Sequence, residues 1–163
     1  MHIRDAHQDD FDEIGEIRVG AYLADGFLSA DSGYSPHLRE LGADGSGHVL
    51  VAVGADGKLI GTVMLLPWPE GGNLTRAPGE AEIRALAVRP EARGAGIGRL
   101  LVAQVMDMAR RRGVRDLLLL TQPEMKVAHR LYEAAGFARL PERDWSPEPG
   151  INLLAYGLRL PSA

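Results

Sequence analysis

Cysteine is absent from this chain of 163 residues. Its absence removes disulfides, thiolate metal ligands and a cysteine nucleophile from consideration, and it agrees with a reducing compartment. Lysine is scarce, Lys58 and Lys126 being the only two. Arginine supplies the rest of the positive charge, a bias we read as the codon usage of a GC-rich bacterial genome. Long apolar runs are also missing: no stretch nears the roughly 18 residues that a membrane-spanning helix needs. The opening Met1-His2-Ile3-Arg4-Asp5-Ala6, followed by Gln8-Asp9-Asp10, lacks the basic start and apolar run of a secretory leader. A cytoplasmic protein with no membrane partner is expected. No large excess of either charge exists, since 18 basic and 22 acidic residues leave a net charge of −4. That balance argues against a nucleic-acid partner, and weakly for a cationic small molecule or a basic peptide. No His/Asp/Glu spacing recommends a metal site.

The remaining composition is that of an ordinary globular protein, 45% hydrophobic and 25% charged. The length predicts a single domain over residues 1–163. A short strand opens the chain. Asp9 or Asp10 can cap a helix in which Phe11, Ile14, Ile17 and Ala21 recur at helical spacing. Ala24–Tyr34 reads as a loop, and Pro36–Leu41 as a short second helix. His48–Val53 and Leu59–Leu66 flank the turn chemistry of Ala55-Asp56-Gly57 and predict a hairpin. Glu80–Val88 is the next strand. Ile97, Leu100, Leu101, Gln104, Val105 and Met108 share one face of a helix that ends in Arg110-Arg111-Arg112 and Gly113. Val114–Thr121, with four consecutive leucines, reads as a strand buried on both faces. A helix over Lys126–Ala135 follows, then strands at Phe137–Leu140 and Ile151–Leu160 around a Pro-rich loop. The pattern predicts a mixed α/β (α+β) domain with Glu80–Thr121 as a β-α-β crossover.

The informative stretch is Arg93-Gly94-Ala95-Gly96-Ile97-Gly98-Arg99, placed after a strand and opening a helix. Glycines there let backbone N–H groups approach a phosphate, and a helix N-terminus adds about half a positive charge. A Walker A loop needs Lys-Ser/Thr after its last glycine, whereas Arg99-Leu100 follows Gly98. A dinucleotide fingerprint needs a glycine where Arg99 stands. The pattern Arg/Gln-x-x-Gly-x-Gly/Ala fits, through Arg93, Gly96 and Gly98. It resembles the coenzyme A pyrophosphate loop of the GNAT acetyltransferases. Glu82-Ile83-Arg84-Ala85-Leu86-Ala87-Val88 is similar to that family's fourth strand, and Leu131-Tyr132-Glu133-Ala134-Ala135-Gly136-Phe137 to its Leu-Tyr-x-x-x-Gly-Phe signature.

The resemblance implies a GNAT-type fold: a central mixed, mostly antiparallel sheet, splayed between strands 4 and 5 and flanked by helices. It implies acetyl-CoA as co-substrate and no metal, with the pantetheine arm paired to the backbone of Leu86, Ala87 and Val88. The amides from Gly94 through Arg99, with Arg93, would hold the pyrophosphate. The Val88 N–H would face the reacting carbonyl. Glu82 is the implied base for the acceptor amine, with Glu80 as a weaker substitute and a solvated or Arg-paired carboxylate as the plain alternative. Alternation along the strand puts Glu82, Arg84, Leu86 and Val88 on one face. Tyr132 is the implied acid for the departing thiolate; its plain alternative is a packed aromatic. Many relatives carry asparagine where Met125 stands, so one side-chain contact to the pantetheine is expected to be lost. His129 is expected on the surface and His48 at a strand start.

The implied reaction is acetyl transfer to a primary amine of a small molecule or peptide. The rival is a non-catalytic acetyl-CoA sensor or interaction module of the same fold. Acceptor-site candidates are Asp25, Phe27, Asp31 and Tyr34, then Trp68 and Glu70, then Trp145, from the loop Ala24–Tyr34, the connection Pro67–Gly79 and the segment Pro141–Gly150. Family habit suggests a homodimer.

Overall fold

The computed structural model describes residues 1–25, 34–70 and 74–161. Of the acceptor-site candidates, Phe27 and Asp31 lie outside the described residues. The described strands are β1 (His2–Asp5), β2 (His48–Val53), β3 (Leu59–Pro67), β4 (Glu80–Val88), β5 (Asp116–Thr121), β6 (Ala138–Arg139), β7 (Trp145–Glu148) and β8 (Ile151–Arg159). The helices are α1 (Phe11–Ala24), α2 (Tyr34–Glu40), α3 (Ile97–Arg111) and α4 (Lys126–Ala134). The chain divides into two compact units, one of residues 1–64 and 85–105, the other of residues 65–84 and 106–163.

In the first unit β1, β2, β3 and β4 are neighbours in that order. β1 and β2 run antiparallel, with His2 opposite Val53 and Asp5 opposite Leu50. Val49 through Val53 are all buried, as suits a β-branched run in a strand with both faces covered. Ile14, Ile17 and Ala21 of α1 are buried as their spacing predicts. The cap differs from expectation. Gln8–Asp10 is a 3-10 turn, and the Asp10 carboxylate accepts the His7 N–H at 2.6 Å and the Arg4 guanidinium at 2.7 Å. It makes no side-chain cap to α1, because a nearer cation and an earlier orphan amide take both oxygens. The opening turns of α3 lie tight on β3 here: a Cβ on Gly61 would stand 2.9 Å from Leu101 Cδ1 and 3.2 Å from Ile97 Cγ2. Any larger residue at 61 would have to push these packed side chains aside.

In the second unit β4, β5, β8 and β6 are neighbours in that order, and β7 pairs with β8. β4 and β5 are parallel, from Glu80↔Asp116 to Ile83↔Leu119, as the β-α-β crossover requires. The ladder goes no further. β8 returns antiparallel to β5, with Asp116 opposite Arg159 and Thr121 opposite Leu154. Leu117, Leu118 and Leu119 are 0, 3 and 1% exposed. Each buried leucine contributes about 1.5–3 kcal/mol, so the β5 run is the anchor of this unit. One element departs from expectation. The Pro-rich segment before β8 contains β7, with Trp145 opposite Leu153 and Glu148 opposite Ile151. Proline is admitted because β7 is an edge strand with an irregular register. The whole is a mixed α/β fold, mostly antiparallel, with β4–β5 as its parallel pair.

Candidate active site

The residues named from the sequence fall into two groups. Leu86 through Arg99 form one stretch in the first unit, while Glu82 and Tyr132 lie in the second. In the first group, a 3-10 turn at Pro90–Ala92 carries the chain from β4 into Arg93-Gly94-Ala95-Gly96, all four exposed. Arg89 pins the entry. Its N–H donates to the Ile60 carbonyl at 2.9 Å, its Nε to the Leu59 carbonyl at 2.7 Å and its Nη2 to Glu13 at 3.2 Å. Gly94 and Gly96 have φ of +88° and +77°, and a Cβ on either would meet nothing within 4 Å. Their glycine character therefore serves backbone conformation and an open outer face, not packing. The first α3 bond runs from Leu100 N–H to the Gly96 carbonyl at 3.0 Å. Helix geometry leaves the N–H groups of Ile97, Gly98 and Arg99 without intrahelical acceptors. Arg93 is fixed by both Nη atoms to the Asp25 carboxylate, at 2.6 and 3.0 Å. The result is an exposed turn at the N-terminus of α3, the kind of place where backbone N–H groups attract an anion.

On β4, alternation does not run unbroken from Glu82 to Val88 as expected. Ala85 has φ of +54°, a left-handed conformation that costs a non-glycine residue about 1–2 kcal/mol. Its side chain is buried with Val19 and Leu38, and Tyr22 and Leu41 pack against them, which holds the kink in place. The periodicity argument for a shared face therefore covers Glu82 and Arg84 and stops before Leu86 and Val88.

Glu82 is 2% exposed. Its Oε2 lies 3.4 Å from Arg84 Nε, and its Oε1 is buried with no hydrogen-bond partner among the described residues. Burial pushes the carboxyl from the usual 4.5 up to about 7, against a smaller pull downward from the Arg84 charge. A carboxyl in that range can take a proton from a cation near neutral pH and release it again. Glu80 is the opposite case. Arg143 grips it at 2.8 and 3.1 Å, and the Arg143 hydrogen bonds hold its carboxyl below the usual range. Its alternative role as base is therefore poorly supported.

Tyr132 is 7% exposed on α4 and meets Phe137 edge-on, with ring centroids 5.8 Å apart. His129 is buried beside it on the same helix, contrary to the surface position expected. Its Nε2 is 2.9 Å from the Gln122 carbonyl, which can only accept, so that nitrogen carries the proton. Its ring lies near that of Tyr156, tilted by 35° with centroids 5.6 Å apart. The three-residue spacing of His129 and Tyr132 was the legible signal for this shared face. At the helix start the Thr121 hydroxyl donates to Met125 Sδ at 3.5 Å, so Met125 is engaged with its own strand. Among the described residues, no group of three His, Asp or Glu side chains is placed to hold a metal. No described helix is long and apolar enough to cross a membrane.

The sequence model of the acetyltransferase (GNAT) family matches residues 8–137, which is most of the chain. This chain belongs to the GNAT acetyltransferase family. An uncharacterized N-acetyltransferase of Schizosaccharomyces pombe is 31% identical over 125 residues, covering 77% of this chain and 72% of that protein. A mycothiol acetyltransferase of Cellulomonas flavigena is 42% identical over 86 residues, covering 52% of this chain. The match takes in about a quarter of the length of that relative, 25%. Among solved structures, the paia N-acetyltransferase of Thermoplasma acidophilum in complex with coenzyme A has a TM-score of 0.73 at 17% identity. It covers 97% of this chain and 98% of that one. The GNAT fold expected from the motifs is thus the fold found.

Proposed function

We propose that residues 1–163 act as one acetyltransferase domain that moves the acetyl group of acetyl-CoA to a primary amine. The acceptor is a small molecule or a peptide, and its amine attacks the thioester directly in a ternary complex. One observation carries the reading: a buried carboxyl on β4 with a raised pKa and an unpartnered oxygen. A non-catalytic sensor of the same fold has no use for a base held at that cost.

Each residue then has a defined task. The amides from Gly94 to Arg99 and the Arg93 guanidinium hold the pyrophosphate, with Ala95 and Ile97 as part of the same backbone arc. The backbone of Leu86, Ala87 and Val88 lines up the pantetheine arm. An alkyl ammonium has a pKa near 10, so it must lose a proton before its nitrogen can form the new C–N bond; Glu82 takes that proton. The Val88 N–H donates to the carbonyl oxygen as negative charge gathers there. As the C–S bond breaks, Tyr132 gives its phenolic proton to the departing sulfur.

The assay is thiol release from acetyl-CoA across a panel of amines, with the acetylated product weighed by mass spectrometry. Tyr132→Phe should lower kcat about 100-fold, the lower end of the range for proton-transfer catalysis, with acetyl-CoA affinity changed less than about threefold. Normal turnover in the variant would hand the acid role to water.

A further inference from the structure

We propose that the acceptor carries a carboxylate close to the amine that is acetylated, as an amino acid does, and that Arg84 binds it. This deepens the transfer reading of the same site and rests on it. Arg84 stands two residues from Glu82 on β4 and is half-exposed, its side chain 37% accessible. Its nearest approach to Glu82 is through Nε, at 3.4 Å. Its two terminal nitrogens make no hydrogen bond among the described residues.

A neighbouring pair shows what a saturated arginine looks like in this unit. Arg143 meets Glu80 with both terminal nitrogens and also donates to the Leu74 carbonyl at 2.8 Å. Arg84 is spent on nothing of the kind. A guanidinium presents a planar fork that matches a carboxylate with two parallel hydrogen bonds, and among the described residues nothing hydrogen-bonds that fork beside the base.

Charge decides which acceptor fits. Glu82 is partly protonated near neutral pH, so it does not fully neutralise Arg84. An acceptor that brings only ammonium charge meets a like charge beside the base. An acceptor that brings an anion as well supplies the missing partner. The Glu82–Arg84 contact of 3.4 Å sets base and cation side by side, so amine and anion must be close neighbours on one molecule. That is the spacing of an amino acid and not of a long polyamine, and a peptide N-terminus lacks the adjacent carboxylate.

The test uses matched pairs: amino acids, their methyl esters, and the decarboxylated amines, each with acetyl-CoA and the full chain. Esters keep the amine and make it less basic, which favours attack, so any preference for the acid must come from recognition. The unsubstituted protein should show kcat/KM for the acid about 10- to 100-fold above the ester, the ratio that a charge-assisted hydrogen bond supports. Arg84→Gln should bring that ratio to near one, through KM. The ratio is taken within each protein, so partial misfolding of the variant does not alter it. Esters or simple amines used as well as or better than acids, or an acid preference intact in Arg84→Gln, would overturn the proposal alone. No thiol release with any amine would sink the transfer reading itself, and this proposal with it.

Discussion

Glu82→Gln should lower kcat/KM at pH 8 by about 10²- to 10⁴-fold, the range that a positioned general base supplies. It should also remove a limb from the pH profile. In the unsubstituted protein the rate should rise with pH through about 7, because burial sets the Glu82 carboxyl there and only its ionised form accepts a proton. Glutamine cannot titrate, so the variant profile should lack that inflection. Stability should move the other way. The folded protein keeps its proton up to about pH 7 while the unfolded chain releases it near 4.5. The folded state therefore binds more protons in that window, and stability falls as pH rises through it. A gap of this size is worth about 3 kcal/mol, all of it present above pH 7 and none below the unfolded value. Glu82→Gln should accordingly raise the Tm at pH 8 and leave it nearly unchanged near pH 4. Loss of activity without gain of stability at pH 8 would mean that Glu82 is paired in solution and is not the base.

The second large effect concerns the cradle. Gly96→Asp should weaken acetyl-CoA binding at least 100-fold, by setting a carboxylate on the open face where the phosphates are to lie. The side chain has room, since a Cβ there meets nothing within 4 Å. Aspartate also tolerates the positive φ of this site better than most residues. Gly96→Asn has the same shape and conformational tolerance without the charge, and should lose far less. Equal losses in the two variants would assign the effect to backbone strain; no loss in either would remove the cradle from Gly96.

Most of the fold was legible because its signals are local. The leucine run of β5 has the length and continuity of a buried strand, and the apolar residues after Gly96 recur at the 3.6-residue spacing of α3. What failed depends on neighbours that a single sequence does not reveal. β7 is four residues containing a proline and exists only because β8 offers it an edge. The Asp10 cap went to His7 because Arg4 lay close enough to share it. The left-handed Ala85 is set by packing from α1 and α2, so no alternation rule could carry across it. In the site, the Gly94–Gly96 loop announced itself, since a backbone of positive φ favours glycine. The burial of Glu82 did not, because a carboxylate inside a fold is the arrangement that sequence rules predict least. His129 was expected on the surface from its helical position, yet its three-residue offset to Tyr132 puts it on the buried face.

The central claim is that the chain uses acetyl-CoA, and calorimetric titration of the purified protein tests it directly, with NAD and ATP as controls. The account predicts saturable, micromolar binding of acetyl-CoA with one site per chain, and no heat from either control. Absence of acetyl-CoA binding by folded protein, or equal binding of ATP, would contradict it.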